Sequence, residues 1–98
     1  MDPVDFPRAY FLNGMAKYRA RDFDGAEKST REAIKVDGLH EYPQAQFQLA
    51  LILVMKKDPA GAAEQLRAYI AANPKGDDLP RARQELAALE EELKNAKK

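Results

Sequence analysis

The chain has 98 residues, lacks cysteine, and carries 16 basic and 16 acidic side chains that cancel in charge. This length predicts one small domain over residues 1–98, and the lack of cysteine excludes disulfides and thiolate metal sites. The charge balance argues against a nucleic-acid partner, and no apolar run approaches the ~20 residues that a membrane span needs.

The pattern of apolar residues and helix caps predicts five helices and no strand. We expect the first helix over residues 6–21, with Asp5 as its N-cap. Asp22 is expected to cap the second helix, over residues 23–36, and Gly38 to end it. Because only a residue or two separates these helices, we expect them to form an antiparallel hairpin.

The next two helices are expected over residues 43–57 and 59–72. Asp58 followed by Pro59 is the clearest helix start in the chain, since an aspartate cap precedes a proline at the first helical position. The short link at Asp58 predicts a second antiparallel hairpin. A longer link over residues 37–42 joins the two hairpins, so the predicted fold is all-α.

A fifth helix is expected over residues 79–96, capped by Asp77 or Asp78. Its apolar residues are spaced three and four apart: Leu79, Ala82, Leu86, Leu89, Leu93 and Ala96. That spacing fits either the seam of a coiled coil or a helix that covers the end of a stack of hairpins. Fewer than three heptads rarely sustain a coiled coil, which favours a capping helix.

The two hairpins repeat each other at a distance of 36 residues. Gly14 and Ala26 in the first hairpin are followed by Ala50 and Ala62 in the second. Small residues at facing positions let two helices approach to about 8–10 Å. A period between 20 and 50 residues is typical of stacked helical units that present a surface to a partner.

This pattern resembles the tetratricopeptide repeat, whose signature combines large, small, aromatic and closing residues at fixed places. These places fall on Tyr10, Asn13-Gly14, Lys17, Ala26, Thr30 and Gly38, then on Gln46, Leu49-Ala50, Leu53, Ala62, Leu66 and Pro74. Lys17 and Thr30 depart from the signature. The resemblance implies an α-α superhelix with repeats at 7–40 and 43–76 and a capping helix at 79–96. It also implies a scaffold or assembly module for protein–protein interaction.

Residues that could support catalysis are sparse. The only histidine, His40, lies beside Glu41 in a predicted loop, and no other chemical group approaches them in sequence. Asp77 and Asp78 are explained by helix capping. No phosphate-binding glycine loop, nucleophile motif or metal-ligand spacing occurs, so we expect no catalytic residue, no metal and no cofactor.

In tetratricopeptide proteins the first helix of each hairpin lines the concave face, which the resemblance places on the first and third helices here. The predicted partner-binding residues are Arg8, Phe11, Met15, Tyr18, Arg19, Gln44, Phe47, Gln48, Leu51 and Met55. Their spacing agrees with this, since Phe11, Met15 and Tyr18 share one side of their helix. The alternative is that some of these side chains are core between the helices.

The chemistry of this face indicates the kind of partner. The lysine and asparagine clamp with which some family members hold acidic C-terminal peptides is missing, because Phe11, Met15 and Gln48 stand at the matching places. The face is aromatic and rich in methionine. We therefore expect a protein or peptide partner that is apolar or an amphipathic helix.

Self-association is the alternative function. Roughly three repeats are usually needed for a stable stack, and this chain has two and a terminal helix. The face of the first helix that a preceding repeat would cover is therefore expected to meet either further repeats or a second copy of the chain. The second copy would make the protein a homodimer.

The location of the protein depends on whether the chain is complete. The first residues lack the pattern of a signal peptide, which predicts a cytoplasmic protein if the chain is complete. Residues 2–10, 26–29 and 61–64 are similar to C-terminal repeat segments of larger bacterial proteins. If the chain is part of such a protein, a periplasmic or secreted location remains open.

Overall fold

A computed structural model describes residues 6–37, 42–73 and 75–96. Over these residues the helices are α1 (Phe6–Arg19), α2 (Phe23–Val36), α3 (Gln44–Met55), α4 (Pro59–Ala72) and α5 (Leu79–Ala96). The predictions for Asp5, Gly38, His40, Glu41 and Pro74 lie outside the described residues. Within these ranges no strand occurs, and no helix is both long and apolar enough to cross a membrane.

Aspartate caps start the second helix of each hairpin, as predicted. The Asp22 carboxylate accepts the Gly25 N–H at 3.0 Å, and the Asp58 carboxylate accepts the Gly61 N–H at the same distance. Each bond satisfies one of the backbone donors that a helix start leaves unpaired. At α5, the Asp78 carbonyl accepts the Ala82 N–H at 2.8 Å, which places Asp78 at the N-cap position.

Helices α1 and α3 each end two residues earlier than predicted. Arg21 and Lys57 adopt a left-handed conformation, with φ of 65° and 63°. The N–H of the next residue, Asp22 or Asp58, then bonds to the carbonyl five positions earlier, at 2.9 and 2.8 Å. This is the Schellman motif, which usually has glycine at the left-handed position. In each hairpin, one aspartate therefore completes the Schellman motif of the first helix and is the N-cap of the second helix.

The helices pack as two antiparallel hairpins and a terminal helix, which confirms the predicted all-α fold. Helix α1 packs along α2, α3 along α4, and α2 against α3, while α5 packs on α4. The molecule is elongated, with extents of 56 × 31 × 18 Å. The apolar stripe of α5 covers the second hairpin, and Leu79, Ala82 and Leu89 are buried. This confirms the capping helix over the coiled coil.

The core lies mainly between α3, α4 and α5. The cluster contains Phe47, Leu49, Ala50, Leu53, Ala62, Ala63, Leu66, Tyr69, Ala82 and Leu89. Helix α3 is apolar on nearly every side because it is covered by α2 on one side and α4 on another. The first hairpin is held differently, by the close approach of small buried residues such as Gly14, Ala26 and Ala33.

An ion-pair network joins the two hairpins at the end of α3. Lys56 Nζ lies 2.7 Å from carboxylate oxygens of both Asp24 and Glu27, and Glu27 also pairs with Arg31 at 2.8 Å. Hydrogen bonds from Lys56 and Arg31 lower the pKa of Glu27. Those to Asp24 and Glu27 raise the pKa of Lys56. Glu27 and Lys56 therefore stay charged at neutral pH, and the network links α2 to the end of α3.

Candidate functional site

A groove of about 450 Å³ opens between α1, α3 and the start of α5. Its walls are formed by Met15, Tyr18, Arg19, Gln44, Phe47, Gln48, Leu51, Asp78 and Arg81. Most of the predicted partner-binding residues are thus brought together on one surface. The groove lies on the side where the first helices of the two hairpins meet the terminal helix.

Phe47 forms the floor of the groove and is also part of the core. Its side chain is only 7% exposed. The ring packs edge-to-face on Tyr69 with 5.4 Å between ring centroids, and the Arg81 guanidinium lies 5.2 Å from the centre of the Phe47 ring. Burial, followed by the charges of Asp78 and Asp77, raises the pKa of Tyr69. The floor of the groove is therefore an aromatic ring that is packed into the core.

Gln48 links three helices from the edge of the groove. Its Nε2 donates to Thr30 Oγ1 at 2.8 Å and to the Phe11 carbonyl at 3.3 Å. Thr30 is fully buried on α2. A Cβ at Gly14 would overlap the Thr30 hydroxyl and lie 2.9 Å from Gln48 Nε2, so this position of α1 requires glycine. Thr30, a departure from the repeat signature, serves here as the acceptor for Gln48.

Three half-buried side chains make the walls apolar. Met15 and Tyr18 face the groove from α1, and Leu51 faces it from α3. The Tyr18 ring is held by an edge-to-face contact with Phe23, at 5.7 Å between centroids. Exposed Arg19 completes the α1 wall. An apolar side chain of a partner in the groove would be shielded from water by the floor and by two walls.

Three of the predicted partner-binding residues, Phe11, Met55 and Arg8, do not line the groove. The Phe11 ring packs near Tyr42, with 6.2 Å between centroids, beyond the groove lining. Met55 is 39% exposed and lines a separate depression beside Phe23. Arg8 is exposed and does not line the groove. The apolar walls are therefore confined to the C-terminal half of α1 and the middle of α3.

Two groove residues were missed from the sequence. Asp78 and Arg81 form a third wall from the start of α5, whereas the sequence analysis treated Asp78 only as a helix cap. The place of the fifth helix in the order of helices could have indicated both residues. Helix α5 follows the second hairpin as a third repeat's first helix would, and first helices line the concave face. The terminal helix thus both caps the core and extends the groove.

The groove combines an apolar interior with charged rims. Arg19, Arg81 and Asp78 bring two cations and one anion to it. In the part of the chain that the structure describes, no three His, Cys, Asp or Glu side chains come together in a way that would hold a metal ion. The arrangement is suited to contact with an apolar surface that carries charge at its edge.

Comparison with known proteins identifies one similarity. A family model described as tetratricopeptide repeat matches residues 11–77, which is more than half of the chain. The match covers the second hairpin and the first hairpin from Phe11 onward, including the Gly14–Thr30 contact and the α3 side of the groove. No curated protein and no solved structure matches the chain significantly.

Proposed function

Because the chain belongs to the tetratricopeptide repeat family, we propose that it binds an amphipathic helix of a partner protein in the groove between α1, α3 and α5. Tetratricopeptide repeats generally mediate protein–protein contact and are typically not catalytic. We accordingly assign the chain a scaffold or assembly role, without turnover and without a cofactor.

The observation that carries this proposal is the apolar lining of the groove. Met15, Tyr18 and Leu51 are half-buried around the floor formed by Phe47. Side chains at i, i+3 and i+4 of an amphipathic helix project from one face, so a single partner helix can present several apolar groups to these walls. Burial of each such group contributes about 25 cal/mol per Å² of apolar surface removed from water.

Binding can be tested with a displayed library of 18-residue helical peptides. Each peptide carries a stripe of Leu, Ile, Met or Phe, and the positions beside the stripe are drawn from Glu, Lys and Gln. We expect peptides to be enriched on the wild-type protein. We also expect Leu51→Asp to weaken the best binder at least tenfold, because a carboxylate in the wall would lose water on binding.

Leu12→Asp is the matched control. Leu12 is 47% exposed on α1 but does not line the groove, so the same substitution there should leave the affinity within about twofold. Circular dichroism would verify that both variants fold. Failure to enrich any peptide, or equal loss in Leu12→Asp and Leu51→Asp, would contradict the proposal.

Self-association is a second candidate, favoured by the open side of α1. Leu12 is 47% exposed on α1, a large exposure for an apolar side chain. If a second copy covers this side, the mass measured by light scattering should rise from one chain to two as concentration increases a hundredfold. Leu12→Asp should then remain monomeric, whereas a wild-type mass of one chain throughout would exclude this candidate.

A further inference from the structure

We propose that the groove selects helices that carry a carboxylate beside their apolar stripe, and that the Arg81 guanidinium binds this carboxylate. The inference rests on the proposed function, because it concerns the charge of the helix that occupies the groove. It adds a specificity that the apolar walls do not supply. Arg19, on the wall formed by α1, is the second cation of the site.

The exposed Arg81 side chain lies against the floor of the groove in the unbound protein. Its guanidinium lies 5.2 Å from the centre of the Phe47 ring, and Phe47 is itself held by Tyr69. A guanidinium that lies over an aromatic ring keeps N–H groups for other acceptors. Those N–H groups can donate to both oxygens of a carboxylate.

Several cations of the described residues form no ion pair, and the two groove arginines are among them. Lys17, Lys56 and Arg67 form ion pairs with carboxylates of this chain. Within the described ranges, neither Arg19 nor Arg81 forms one, although Asp78 lines the same groove. Their charges are therefore available to a partner.

The charge count favours an acidic partner over a basic one. Among the residues that line the groove, Arg19 and Arg81 are cationic and Asp78 alone is anionic. A lysine beside the stripe of a bound helix would be attracted to Asp78 but repelled by the two guanidinium groups. A glutamate would be attracted to both arginines. Charge complementarity of this kind contributes mainly to specificity.

The peptide library described above tests this inference directly. We expect glutamate to be enriched over lysine at the positions beside the stripe. In the best binder, replacement of the contacting glutamate by glutamine should weaken binding about tenfold at low ionic strength. The difference should shrink in 0.5 M NaCl, where exposed charges are screened within a few ångströms.

Variants of α5 identify the residue responsible. In Arg81→Gln, the Glu and Gln forms of the peptide should bind with the same affinity to within about twofold. The matched control is Arg83→Gln, because Arg83 is exposed on the same helix but does not line the groove, and it should keep the tenfold preference. If the Gln peptide binds Arg81→Gln and the wild-type protein with the same affinity, the substitution has left the apolar walls intact.

The possible results separate this inference from the proposed function. Peptides that bind without a preference for glutamate, or a preference that survives in Arg81→Gln, would overturn the carboxylate site alone. Enrichment of lysine would also overturn it. Enrichment of no peptide would overturn the proposed function and this inference together.

Discussion

Replacing Phe47 by alanine is expected to lower the free energy of unfolding by about 3–5 kcal/mol. Phe47 is buried at the point where α3, α4 and α5 meet, in contact with Tyr69 and Arg81. Its loss leaves a cavity under the groove and removes both contacts. The total stability of a small domain is about 5–15 kcal/mol, so the variant should unfold at a much lower urea concentration.

The control for this prediction is Phe11→Ala. Phe11 is a half-buried phenylalanine on α1 that contacts Tyr42 near the end of the first hairpin. We expect it to lose less than half as much stability as Phe47→Ala in the same urea titration, monitored by circular dichroism. A Phe47→Ala loss of under about 1 kcal/mol would show that the groove floor is not part of the core.

Replacing Leu66 by threonine is expected to cost about 3–5 kcal/mol, although threonine occupies the equivalent place in the first hairpin. Leu66 is 1% exposed, and Thr30, one repeat earlier, is fully buried. The Thr30 hydroxyl accepts a hydrogen bond from Gln48. The residue one repeat after Gln48 is Gln84, which is exposed. A threonine at 66 would therefore combine a cavity with a hydroxyl that lacks this donor.

Leu12→Thr makes the same chemical change at an exposed position and should alter the stability by no more than about 0.5 kcal/mol. Both variants can be compared by thermal and urea unfolding. If Leu66→Thr were as mild as Leu12→Thr, the two hairpins would be interchangeable at this position. The expectation that a buried threonine at this position needs a donor such as Gln48 would then be wrong.

The helices were largely predictable because their start signals are local. Asp22 and the Asp58-Pro59 pair mark helix starts that depend only on neighbouring residues. The ends of α1 and α3 were not predictable to the residue, because Arg21 and Lys57 occupy a conformation in which glycine is usual. Arg21 and Lys57 adopt this conformation because the next residue, Asp22 or Asp58, bonds back to the first helix and also caps the second.

The candidate site was predictable only in part. Its α1 and α3 walls follow from helical spacing, which placed Met15, Tyr18 and Leu51 on shared faces. Phe11 could not be excluded from sequence, because its contact with Tyr42 depends on how the first hairpin meets the start of α3. Arg81 was missed because α5 was interpreted only as a cap, although it follows the second hairpin as a further first helix would, and its approach to Phe47 depends on packing. Such placements depend on tertiary packing, which sequence spacing does not encode.

The most direct test of the proposed binding mode is a methyl NMR titration of the whole chain with the best helical peptide. Met15 and Leu51 line the groove, whereas Leu12 and Met55 are apolar side chains exposed outside it. We predict that the methyl signals of Met15 and Leu51 shift on binding while those of Leu12 and Met55 remain in place. Shifts confined to Leu12 and Met55 would contradict the account, because the helix would then bind outside the groove.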